Sequence, residues 1–118
     1  MSTVVEMSGL ERAARDALET LLLRHPHLPK PPRIYWSEPE VIGPRLTLSF
    51  KSDADVDTWA KGLFREPTTK FMAWDNTYEP GTWAVIRYHE FFIPKWMGAG
   101  VGLRVTHAED RNVRPERA

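Results

Sequence analysis

The segment between Thr69 and Thr106 constrains the fold more than any other part of the chain, and it holds most of the aromatic residues. It reads as three apolar strands that strong turn signals separate. The strands are predicted at about 69–74, 82–93 and 101–106. Short turns between consecutive strands favour antiparallel pairing. The segment therefore predicts a mainly antiparallel sheet.

An amphipathic helix is predicted over residues 9–24, where apolar side chains recur at spacings of three and four. Ser8 and Glu11 have the spacing of a capping box, in which each side chain satisfies a free backbone N–H at the helix start. Pro26 ends the helix. Residues 25–33 contain four prolines and predict an extended surface connector.

A second amphipathic helix is predicted over residues 53–64, with Ser52 as its N-cap. Gly62 lies inside it at a cost of up to ~1 kcal/mol relative to Ala, which indicates close packing. Before this helix, residues 45–50 alternate between apolar and polar and predict a half-buried strand. Residues 34–36 predict a shorter strand.

These elements predict one α+β domain over residues 1–118, in which residues 1–8 and 109–118 are frayed. The predicted order is α-β-β-α-β-β-β. We expect a mainly antiparallel sheet of four to five strands with two helices packed on one face.

Composition excludes several classes of function. The formal net charge is zero, so no overall field attracts nucleic acid or an anionic membrane. The absence of cysteine excludes disulfides, thiol catalysis and Cys-ligated metal. No apolar run approaches the ~20 residues of a membrane span, and Met1–Met7 does not resemble a signal peptide. We expect a cytoplasmic protein, and the residue usage is typical of a GC-rich bacterial genome.

Strand 82–93 supplies the candidate binding patch. Trp83, Arg87 and His89 alternate onto one face, and Ala84, Ile86, Tyr88, Glu90 and Phe92 point to the other. If the helices cover the second face, the first three side chains are displayed together, with Asp75 and Tyr78 at the adjoining turn. An aromatic ring, a cation and an imidazole in line are suited to a peptide, a base or an acidic group.

Two alternatives stay open for this strand. Its outer residues can be merely solvated, as outer-face residues commonly are, and a β-bulge would exchange the two faces. The strand is also long and apolar enough to serve as a dimer edge, unless strands on both sides already pair with it.

Catalytic and metal-binding patterns are absent from the sequence. No nucleophile lies at a defined spacing from a base, and no phosphate-binding or dinucleotide motif occurs. His25 and His27 have no cysteine or further histidine near them. Asp53, Asp55 and Asp57 lack the glycine and distant glutamate of a calcium loop and fit a helix start better. We expect no catalytic residue, no metal and no cofactor.

The leading hypothesis is a small non-enzymatic binding or adaptor module that acts through protein–protein contacts, with a protein or a second copy as its partner. The alternative is a small-ligand binder or simple enzyme with an aromatic pocket near Trp59, Trp74 and Tyr88. A third hypothesis, nucleic-acid binding, requires basic residues to cluster on one face despite the neutral charge. We rank it last.

Overall fold

The computed structural model describes residues 9–41, 43–75, 80–97 and 100–113, and the backbone alone of 111–113. It contains two helices and five strands in the predicted order α-β-β-α-β-β-β. The helices are α1 (Gly9–Arg24) and α2 (Asp53–Gly62). The strands are β1 (Arg33–Ser37), β2 (Arg45–Ser49), β3 (Thr68–Asp75), β4 (Trp83–Ile93) and β5 (Gly102–Val113).

The five strands form one mixed sheet in the order β1-β2-β5-β4-β3. The pairs β1–β2, β3–β4 and β4–β5 are antiparallel, whereas β2 and β5 run parallel. The predicted mainly antiparallel α+β class is confirmed. The parallel pair arises because β5 returns to the middle of the sheet, between β2 and β4.

Both helices pack on the same face of the sheet and enclose the hydrophobic core with it. Directly paired residues point to the same face, so Leu46, Leu48, Leu103 and Val105 form a continuous apolar seam across β2 and β5. Ala14 and Leu18 of α1 and Val56, Trp59 and Ala60 of α2 cover this seam and are buried with it. We call this side of the sheet the helix face and the other side the open face.

The start of α2 follows the prediction closely. Ser52 is the N-cap, and its hydroxyl accepts a hydrogen bond from the Asp55 backbone N–H at 3.3 Å. The helix ends at Gly62, two residues before the predicted end. A Cβ at Gly62 would lie 3.1 Å from the Leu28 side chain, so the predicted close packing is confirmed.

The proline-rich connector is fastened to the core by one buried indole. Trp59 is fully buried, and its Nε1–H donates to the carbonyl of Pro29 at 2.8 Å. Its ring lies 5.7 Å from that of Phe50, at the end of β2. A segment that makes no strand or helix is thereby fixed against α2.

One prediction about the last strand is wrong. Strand β5 continues past the predicted end at Thr106, so residues 109–113, predicted as part of a frayed tail, pair with the first half of β4. Of the two alternatives left open for β4, a dimer edge or a strand paired on both sides, the structure has the second, because β4 pairs with β3 on one side and β5 on the other and is therefore not an edge strand. Residues 1–8, which include the predicted cap Ser8, lie outside the described residues.

The Trp59 contact is testable by substitution. We expect Trp59→Phe to lower the free energy of unfolding by about 2 kcal/mol, because the half-buried Pro29 carbonyl loses its donor and the smaller ring leaves a cavity. Urea denaturation measures the loss. Trp74→Phe, on exposed β3, is the control and should change stability by less than about 0.5 kcal/mol. Equal effects would contradict the assigned role.

Candidate functional site

The predicted patch on β4 lies on the helix face. Trp83, Arg87 and His89 do share one face, as the alternation predicts. The condition for their open display, that the helices cover the opposite face, is not met, because α2 packs on this face. Phe91, next along the same face, is buried in the core.

Arg87 is tied to the first residue of α2. Its Nη1 and Nη2 donate to Oδ1 and Oδ2 of Asp53 at 3.0 and 2.5 Å, a bidentate pair between elements far apart in sequence. The hydrogen bonds from Arg87 hold the pKa of Asp53 below its usual value, against the opposing effect of desolvation. Arg87 therefore positions α2 on the sheet.

His89 makes a second contact with α2. Its Nε2 lies 2.6 Å from Asp57 Oδ1, and its Nδ1 lies 2.9 Å from the Thr69 hydroxyl on β3. Asp53 and Asp57 are one helical turn apart, so both anchor the same side of α2. Both ring nitrogens of His89 have partners within the chain.

Of the other predicted patch residues, the structure describes Asp75, the last residue of β3. Asp75 is the direct partner of Trp83, and the Trp83 side chain is 43% exposed. Tyr78 lies outside the described residues. The structure brings together Trp83 and Asp75, and it engages Arg87 and His89 with α2. Whether this surface binds a partner stays a prediction.

His107 is a buried imidazole beside this cluster, paired in register with His89. Its Nδ1 lies 2.8 Å from the Phe50 carbonyl oxygen, and its Nε2 lies 3.0 Å from Glu109 Oε1. Since both neighbours are acceptors, both contacts are hydrogen bonds only in the imidazolium form. Burial lowers the pKa of His107, but the bonds to Glu109 and Phe50 outweigh burial, and the pKa is raised.

The open face carries a groove of about 460 Å³ that sequence reasoning did not find. We call it the open-face groove. Its charged and aromatic lining includes Arg45, Lys70, Tyr88, Glu90, Phe92 and Arg104. They come from four neighbouring strands. Basic and aromatic side chains therefore surround a single buried carboxylate.

Glu90 organises this groove. It is 6% exposed, and its Oε2 accepts a short hydrogen bond from Arg104 Nε. The Lys70 ammonium lies 3.1 Å from Oε1 as an ion pair, outside hydrogen-bonding geometry. Burial raises the pKa of Glu90, but Arg104 and Lys70 outweigh it and hold the pKa below its usual value. The Arg104 guanidinium also lies over the Tyr88 ring, 5.3 Å from its centroid.

The predicted aromatic pocket does not form. Trp59 is a buried residue of α2 on the helix face, whereas Trp74 and Tyr88 point to the open face. A sheet separates the first ring from the other two, so the three cannot line one cavity. Within residues 9–41, 43–75, 80–97 and 100–113, no three potential ligands are placed to hold a metal ion.

Strand alternation contains part of the signal for the groove. It places Tyr88, Glu90 and Phe92 together on one side of β4 from sequence alone. The partners Lys70 and Arg104 follow only from the register of β3 and β5 against β4, and Arg45 follows only from the parallel β2–β5 pair. No local pattern specifies that pair.

Comparison with protein-family models, with curated proteins and with solved structures finds no match to the chain. Among the described residues, no helix combines the length and apolarity that crossing a bilayer requires.

Removing the charge of Glu90 should weaken the fold at neutral pH. We expect Glu90→Gln to lower the free energy of unfolding by about 1–3 kcal/mol at pH 7, because Arg104 loses a charged partner near the protein interior. The depressed pKa of Glu90 stabilises the fold above the unfolded value of 4.5, and this contribution is lost as pH falls through the folded pKa. Denaturation at several pH values should show the two proteins converging in acid; a constant difference would contradict the assignment.

His107 should give the opposite pH dependence. Its raised pKa stabilises the fold fully below the unfolded value of 6.5, and that stability is lost as pH rises through the folded pKa. We expect the free energy of unfolding to decline above pH 6.5, and Glu109→Gln to make this decline smaller and to end it at a lower pH, because the folded pKa of His107 is then less raised. Urea titrations across that range measure both, with the His107 ring proton followed by NMR. Superimposable profiles for wild type and Glu109→Gln would refute the ion pair.

Proposed function

We propose that the protein is a small non-enzymatic binding module that acts through protein–protein contacts along the free edge of β3, with a second copy of the chain as its partner. One observation carries the proposal. Strand β3 lies at the edge of the sheet, and all eight of its residues are exposed.

The backbone of β3 has a free hydrogen-bonding edge. One side of the strand pairs with β4, and no strand among the described residues pairs with the other. An exposed edge of this length offers a row of N–H and C=O groups to a further strand. Strand addition uses those groups for affinity and the alternating side chains for selectivity.

The side chains of β3 favour association over solubility. Phe71, Met72 and Trp74 are 61%, 52% and 46% exposed; Phe71 lies on the helix face, and Met72 and Trp74 lie on the open face. Lys70, the charge that commonly protects such an edge, lies against Glu90 of its own chain. An added strand would therefore meet apolar side chains on both faces.

A second copy of the chain can pair with the free backbone groups of β3, so no other protein is required. Antiparallel pairing of β3 with itself about a two-fold axis perpendicular to the sheet matches open face with open face. The result is one continuous ten-stranded sheet with all helices on one side. The opposite edge, β1, has five residues and directly follows Pro32, so it is the poorer surface.

A charge on the free edge should separate the copies. We expect the wild-type protein to sediment as a dimer and Ala73→Lys to sediment as a monomer, with dimerisation weakened at least about tenfold. Ala73 is exposed near the middle of β3, and its direct cross-strand partner is the uncharged Val85. Sedimentation velocity over a concentration series measures the association.

The matched control is Ala13→Lys, at an exposed position of α1. It should leave the dimer intact, and circular dichroism should show both variants folded. A wild-type protein that is monomeric at every concentration would overturn the homodimer. Equal dissociation by both variants would place the interface elsewhere.

A further inference from the structure

The fold separates charges that cancel in the whole chain. Among strand residues whose side chains are described, those on the open face include four basic and two acidic, a net charge of +2 on a chain whose total is zero. The basic residues are Arg33, Arg45, Lys70 and Arg104, and the acidic residues are Glu90 and Asp110. A polyanion can therefore recognise one face of a neutral protein.

Arg104 is held ready for stacking. Glu90 fixes the orientation of its guanidinium and Tyr88 supports it, while the side chain keeps 24% of its surface exposed. A planar guanidinium supported in this way is a platform on which an unstacked base can lie. Surface arginines without such partners must lose side-chain freedom first.

Arg45 supplies an unused donor beside this platform. It lines the same groove, and its Nε is buried with no hydrogen-bond partner among the described residues. A buried donor left unpaired is unfavourable, and an anionic oxygen satisfies it best. The groove thus combines a stacking surface with a site for a phosphate oxygen.

Two further aromatic rings extend the platform across the sheet. Tyr35, Thr47, Arg104 and Phe92 are consecutive partners in one row over β1, β2, β5 and β4. Tyr35 and Phe92 are 48% and 39% exposed. Three inter-strand spacings of about 4.8 Å separate them by roughly 14 Å, the length of two to four nucleotides of single strand.

We propose that the open face binds a short single-stranded nucleic acid that runs across the strands. Its bases stack on Tyr35, Arg104 and Phe92, and its phosphates contact Arg45 and Lys70. A duplex keeps its bases inside and cannot use these rings. The start of α2 is acidic, so that helix is unsuited to a DNA groove. Of the residues named for this site, Lys70 alone lies on β3; the others lie on β1, β2, β4 and β5.

The test is fluorescence anisotropy of the full chain with a labelled single-stranded oligonucleotide of about ten nucleotides. We expect saturable binding at low salt that weakens as salt rises, with a log–log slope of roughly −1.4 from the two phosphate contacts. A duplex of the same sequence and a free mononucleotide should bind far more weakly.

Two variants and two matched controls assign the site. Tyr35→Ala should weaken binding about five- to a hundredfold, whereas Phe64→Ala, an exposed ring in the loop after α2, should not. Arg45→Gln should weaken binding and reduce the salt slope by about 0.7, whereas Arg12→Gln on α1 should change neither. Circular dichroism and thermal melts confirm that each variant is folded.

Three results would overturn the proposal. The first is no binding of the single strand at low salt. The second is binding of duplex or mononucleotide as tight as that of the single strand. The third is an equal loss of affinity in the groove variants and their controls. Because Ala73→Lys lies on the helix face of β3, failure of dimerisation and failure of nucleic-acid binding can be told apart.

Discussion

The parallel pairing of β2 with β5 is the contact on which the rest of the structure depends. It joins a two-stranded hairpin, β1–β2, to a three-stranded meander, β3–β4–β5, which share no other strand pairing among the described residues. The side chains of this seam, Leu46 and Leu48 beside Leu103 and Val105, are fully buried. Helix α1 packs on β2, and α2 packs on β5 and β4. Each helix therefore packs on one of the two halves that the seam joins.

Strand β4 then divides the chemistry of the molecule between its two faces. On the helix face, Arg87 and His89 form hydrogen bonds with the first turns of α2, and these contacts hold the helix in place. On the open face, Glu90 gathers Arg104 and Lys70 from the strands on either side. Neighbouring residues of β4 therefore have different roles. Arg87 and His89 hold α2 on the helix face, and Glu90 arranges charged side chains on the open face.

Local patterns predicted most of the elements, because caps and apolar periodicity act over a few residues. Ser52 and the alternation of β4 are examples that the structure confirms. The face chosen by the helices was not predictable in this way, since β4 carries large apolar side chains on both sides. The choice depends on the contact between Arg87 and Asp53, 34 residues apart, and on the return of β5 to the centre. The open-face groove is not predictable from local patterns for the same reason, because its side chains come from four strands.

The central position of β5 also sets the order in which the chain can assemble. The first four strands cannot form one sheet until residues 102–113 have been synthesised, because β5 lies between β2 and β4. Contacts between residues so distant in sequence make folding slow, and apolar edges stay uncovered in the interval. During synthesis the inner edges of β2 and β4, which the finished domain hides completely, are as open to a neighbouring chain as β3 is afterwards.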